Sequence, residues 1–138
     1  MGNRMKKEDV KYIVVHCSDS PQGRGDNAET IHNWHMQRGW NGIGYHYIIL
    51  ESGKVEYGRP DYWIGSHVKN YNHKSLGICL IGQGSYTDEQ YNALGHLIKR
   101  LVRRFPNGVL VGHRDLDSGK TCPMFDVREW WSTFGVDS

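Results

Sequence analysis

Apolar residues along this chain fall into short, β-branched runs, interrupted by longer stretches that carry a helical period instead. The run 10-VKYIVVH-16 reads as a buried strand whose last residue is His16. Two further runs, 45-YHYIILES-52 and 54-KVEYG-58, read as strands that turn at Ser52-Gly53, a hairpin signal. The runs 76-LGICLIG-82 and 108-GVLVG-112 read as two more buried strands. Between them, Asp26 to Arg38 has helical spacing: Asp26 and Glu29 stand at capping-box distance, Ile31, Trp34 and His35 share a face, and Gly39 suits the stop. Thr87 with Gln90 opens a second helix, with Tyr91, Leu94, Ile98, Leu101 and Phe105 on its apolar face and Pro106 and Gly108 at its end. A short amphipathic helix, 126-DVREWWSTF-134, closes the pattern. The stretch from Arg59 to Ser75 keeps no period and is dense in Trp, Tyr, His, Asn and Lys, which predicts a long loop of the kind that often carries function.

Strands alternating with helices, together with one hairpin, predict a single α/β domain with a mixed central β-sheet flanked by helices. It is expected to span residues 1–138, with 1–9 as a flexible N-terminal arm. A chain of 138 residues is long enough to bury a real core. Its 38% hydrophobic and 23% charged residues exclude a disordered tail, and no apolar run approaches a bilayer span, so no membrane insertion is expected. A net charge of +2 with scattered cations gives no argument for nucleic acid; the cluster Lys99, Arg100, Arg103 and Arg104 reads as a solvated helix face. The opening MGNRMKKEDV has no apolar core of a secretory signal, so the protein is expected to be made in the cytoplasm and to stay there until something releases it. Three cysteines, an odd number, argue against a disulfide framework. Cys79 reads as a small core residue, which leaves Cys17 and Cys122 as candidates for chemistry.

The candidate chemistry gathers in 108-GVLVGHRDLDSGKTCP-123, where a strand delivers His113 and the loop after it carries Lys120 and Cys122. The strand at 10–16 delivers His16 in the same way. Open α/β sheets bind ligands beyond the carboxyl ends of their strands, so two parallel neighbours would bring both imidazoles to one mouth. Cys122 could fold back to the same point, and two histidines with a cysteine suit zinc while leaving a fourth position open. The plainer reading is that each histidine is a hydrogen-bonded core or rim residue. Competing histidines read as structural: His32 and His35 as packing and surface on a helix, His46 as a core strand residue, and His96 as rim. Cys17 follows His16 directly and is expected to face away as a packed thiol.

The segments 13-IVVHCSDS-20, 34-WHMQRGWNGIGYHYII-49, 65-GSHVKNYNHKSLGICLIG-82, 111-VGHRDLDSGKTCPMFD-126 and 130-WW-131 together resemble the zinc-dependent N-acetylmuramoyl-L-alanine amidases of the type 2 family, which share a fold with peptidoglycan recognition proteins. Within that family the chain is most similar to small single-domain phage endolysins, although the interval from His113 to Lys120 is one residue longer than in those members. The resemblance implies that His16, His113 and Cys122 bind one Zn2+ and that Tyr45 and Lys120 are catalytic. It implies a peptidoglycan hydrolase that cuts the amide between the lactyl group of N-acetylmuramic acid and L-alanine of the stem peptide. As a phage endolysin it would act on the wall after membrane breach, and one small domain with a solvated helix face is expected to be a monomer.

Lys120 would then stabilise the oxyanion of the tetrahedral intermediate, and the Tyr45 hydroxyl would bond the attacking water or that oxyanion. No HExxH glutamate is present, so the general base stays open; Glu56, Asp115 and Asp126 are the possible carboxylates, and any of them could instead only orient a histidine. His67, Asn72 and Lys69, in the loop 65-GSHVKNYNHKSLG-77, are expected to contact substrate. Three alternatives stay open: a peptidoglycan-binding module without catalysis, a cytoplasmic wall-recycling amidase, and a thiol hydrolase with Cys122 as nucleophile and His113 as base. A regulatory protein partner finds no support beyond the basic residues Arg4, Lys6 and Lys7.

Overall fold

The computed structural model describes residues 4–134. Its five strands form one sheet: β1 (Tyr12–Cys17), β2 (Tyr47–Ile49), β3 (Val55–Tyr57), β4 (Ser75–Leu80) and β5 (Val109–Gly112). The spatial order is β3-β2-β4-β1-β5. β1 runs parallel to both β4 and β5, β2 runs parallel to β4, and only the β2–β3 hairpin is antiparallel. The mixed sheet expected from the sequence is therefore observed. β1 and β4 are buried on both faces, which explains why they read as continuous apolar runs and not as alternating ones.

Helices cover the two faces. The α2 helix (Asp88–Arg104) lays Leu94, Leu97, Ile98 and Leu101 on the face carrying Ile13, Val15, Ile78 and Leu80. The α1 helix (Ala28–Gln37) lays Ile31 on the other face, against Ile48, Cys79 and Ile81. The cap of α2 is the expected Thr87–Gln90 box, with Gln90 N–H donating to Thr87 Oγ1 at 3.1 Å. The cap of α1 sits one residue later than expected: Asn27 Oδ1 accepts from Thr30 N–H at 3.0 Å, because Asp26 is engaged by the Arg24 guanidinium at 2.8 Å. A single helical turn, α3 (His113–Leu116), follows β5 directly where only a loop was expected, and α4 (Val127–Thr133) packs on β5.

Residues 4–9, part of the expected arm, lie against the body of the domain. Met5 is buried with Val10 in the main core, its N–H donates to the Tyr62 carbonyl at 2.8 Å, and Arg4 forms a β-bridge with Trp63. Residues 1–3 lie outside the described residues.

Candidate active site

Parallel pairing of β1 with β5 decides where the site lies. The register runs from Tyr12 opposite Val109 to Val15 opposite Gly112, so one further step puts His16 opposite His113 at the carboxyl ends of both strands. α3 begins at His113 and turns the chain away, and the following loop returns Cys122 to the same point. His16 Nδ1 lies 3.0 Å from His113 Nδ1, and Cys122 Sγ lies 3.3 Å from that same His113 atom. All three donor atoms fall within 4.8 Å of one another.

This donor set fits a zinc ion. With Zn–N near 2.0 Å and Zn–S near 2.3 Å, a tetrahedral site has ligand–ligand edges of about 3.3–3.6 Å. The two separations to His113 Nδ1, 3.0 and 3.3 Å, are only slightly shorter. Burial lowers the pKa of His16, reinforced by His67 and His113, and burial also lowers that of His113, reinforced by the Lys120 ammonium. Both imidazoles are therefore neutral near pH 7, the state a metal ligand requires.

A cavity of about 790 Å³ opens over this cluster. Tyr45 and Lys120, the two expected catalytic residues, both line it. The Tyr45 ring lies 5.2 Å from that of His16, and burial raises its phenol well above the ordinary range, with the Cys79 and Cys122 thiols adding to the effect. Lys120 stands exposed on the rim, two residues before Cys122. His67, Asn72 and Lys69 line the cavity as well. Two of them also make contacts within the protein. His67 Nδ1 bonds His16 Nε2 at 2.8 Å and its Nε2 bonds Ser75 Oγ at 3.3 Å, so both ring nitrogens are occupied within the protein. Asn72 Oδ1 accepts from the backbone N–H of His67 and of Val68, each at 2.8 Å, and so shapes the loop. Only Lys69 stands free on the rim.

The three candidate carboxylates do not reach the site histidines. Glu56 accepts from Ala28 N–H at the start of α1, Asp115 from Gly112 N–H, and Asp126 caps α4 through Glu129 N–H. Cys17 is the packed thiol expected, buried at 5% exposure, and it also borders the cavity that Cys122 lines. Strand alternation does turn it from His16, yet β1 ends at Cys17, and the Cys122 loop crosses that end.

His35 is the site residue that the sequence reading passed over. It is buried, not superficial, and it lines the cavity beside Trp40 and Tyr45. Its Nδ1 accepts from Gly44 N–H at 2.9 Å, which leaves Nε2 as the protonated nitrogen. Burial, with Arg38 and Arg59 nearby, lowers its pKa to about 4, so it remains a neutral donor. The signal available in sequence was its place one turn beyond Ile31 on the buried face of α1.

The chain is similar to known proteins in sequence and in fold. The family model described as N-acetylmuramoyl-L-alanine amidase matches residues 6–125. The endolysin of Escherichia phage T7 is 36% identical over 134 residues, covering 91% of this chain and 88% of that protein. Among solved structures, the endolysin of a Thermus scotoductus bacteriophage superposes with a TM-score of 0.81 at 31% identity, covering 95% of this chain and 90% of that one. Drosophila PGRP-LB superposes with a TM-score of 0.81 at 28% identity, covering 96% of this chain and 84% of that one. The chain therefore belongs to the N-acetylmuramoyl-L-alanine amidase family and is a peptidoglycan hydrolase.

Proposed function

We propose that this protein is a zinc-dependent endolysin whose ligands are His16, His113 and Cys122, and that it cleaves the bond between the lactyl carbonyl of N-acetylmuramic acid and the amine of L-alanine. The observation that carries the reading is the convergence of two imidazole nitrogens and a thiol within 4.8 Å, beneath a cavity that Tyr45 and Lys120 also line. Zinc held there by three protein ligands supplies a Lewis acid and acidifies water towards a pKa of ~7.

The chain's own groups account for the rest. As the amide carbon becomes tetrahedral, negative charge grows on its oxygen, and the Lys120 ammonium on the rim is the mobile cation that answers it. The Tyr45 phenol keeps its proton at neutral pH, so it donates a hydrogen bond to that oxygen or passes a proton towards the leaving amine. His35, neutral and with Nε2–H uncommitted, offers a fixed donor to a substrate carbonyl. Lys69 faces the carboxylates of the stem peptide. One copy of the chain supplies all of these residues, which supports a monomer as the working unit.

Similarity to phage endolysins favours lysis over wall recycling, with the substrate reached once the inner membrane is breached. No helix among the described residues is long and apolar enough to cross a membrane. The ligand assignment is tested by zinc content. Wild-type protein should carry one zinc per chain, while His16→Ala, His113→Ala and Cys122→Ser should each fall below a tenth of that while keeping their circular dichroism. A variant that retained full zinc would remove that residue from the ligand set. A wild-type protein active without metal would favour the thiol hydrolase instead.

A further inference from the structure

The hydrogen bonds behind His16 form a chain whose direction is forced from its far end. Ser75 Oγ lies 2.7 Å from the Tyr71 carbonyl. A carbonyl only accepts, so the single hydroxyl proton of Ser75 points at Tyr71. Ser75 Oγ must then accept from His67 Nε2, at 3.3 Å, which makes Nε2 the protonated nitrogen of His67. His67 Nδ1 therefore carries a lone pair, and the 2.8 Å contact to His16 requires Nε2–H of His16 as the donor. The last consequence falls on His16 Nδ1: it is the bare nitrogen, and it faces His113 Nδ1 and the thiol loop.

The geometry around the chain is built to hold it. Ser75 is fully buried at the start of β4, which pairs with β1 from Tyr12 opposite Ser75 onwards. Asn72 pins the backbone of His67 and Val68. Gly77 supplies the space: a Cβ there would stand 2.7 Å from the His67 ring, so only glycine lets the imidazole lie across β4.

We propose that Ser75 and His67 are positioning residues that set the tautomer of His16 and thereby the metal affinity of the site, with the Tyr71 carbonyl as the fixed reference. The proposal rests on the zinc reading above. It assigns to His67 a role towards the metal where a substrate contact was expected, and it gives Ser75 a function that its burial in a strand would otherwise hide. Outer partners of this kind typically change metal affinity 10–100-fold.

Two measurements test it. Nitrogen-15 imidazole shifts in the metal-free wild-type protein should show His16 as the Nε2–H tautomer; an Nδ1–H tautomer overturns the proposal without any variant being made. Zinc affinity is then measured by competition with a chromogenic chelator for wild type, Ser75→Ala, His67→Phe and Ser75→Thr. Ser75→Ala and His67→Phe should weaken zinc binding 10–100-fold, and Ser75→Thr, which keeps the hydroxyl, should restore most of it. Affinities within twofold of wild type for both disruptive variants, in protein that keeps its folded circular dichroism, would overturn the relay. A wild-type chain that binds no zinc at all would instead sink the metal reading on which the relay rests.

Discussion

His46 should make this domain acid-labile. Gly77 N–H donates to His46 Nδ1 at 3.0 Å, so Nε2 carries the proton and donates to the Trp63 carbonyl at 2.7 Å. A second proton could go only on Nδ1, where it would meet the Gly77 N–H head-on. Burial accordingly lowers the pKa of this imidazole from 6.5 to about 4, with Arg59 adding to the effect and the Trp63 carbonyl opposing it. The unfolded chain therefore binds more protons than the folded one between those values. The stabilisation is complete above pH 6.5 and is lost as pH falls towards 4. Each factor of ten in proton affinity is worth about 1.4 kcal/mol. The full effect is thus about 3 kcal/mol, of which about 2 kcal/mol is already gone at pH 5. Urea unfolding of chelator-treated protein at pH 7.5 and pH 5 measures it, with metal binding removed as a competing cause. His46→Gln should be less stable than wild type at pH 7.5, yet should lose about 2 kcal/mol less between the two values. An equal loss in both proteins would refute the assignment and shift the acid sensitivity to the other buried histidines.

Other substitutions separate the scaffold from the chemistry. Lys120→Ala should lower kcat about 10²–10³-fold, with zinc content unchanged and Lys120→Arg retaining part of the rate, measured on a soluble muramoyl peptide. Gln90→Ala should cost about 2–3 kcal/mol in urea unfolding, since the buried amide donates to the Ile81 carbonyl at 2.8 Å and the Ile49 carbonyl at 3.3 Å; kcat should not move. Gly44→Ala should destabilise by about 1–3 kcal/mol, because a Cβ there runs into the Ser66 backbone, which has no room to yield.

Much of this molecule was legible in sequence for a physical reason. An apolar run that stops on a histidine marks both a strand and the end of the sheet where ligands bind, and β1 and β5 each carry that mark. The 3.6-residue period of α2 and its Thr87–Gln90 box are local features and were read correctly. What escaped depends on distant partners. His67, read from an aperiodic loop as a substrate contact, has both ring nitrogens taken up by His16 and Ser75, partners far from it in sequence or hidden in a strand. His35 was assigned to packing and surface because nothing local shows that the chain around Trp40 folds back over it. Asp26 lost its capping role to Asn27 because Arg24 claimed its carboxylate. Met5, one apolar side chain in a charged stretch, gave no periodic signal, although it anchors residues 4–9 to the core.

Digestion of purified peptidoglycan sacculi, with and without a strong zinc chelator and then with zinc restored, tests the central claim most directly. A zinc amidase should produce new N-terminal alanine amines and no new reducing sugar ends, with activity lost to the chelator and recovered with zinc. New reducing ends, or amide cleavage indifferent to the chelator, would contradict it.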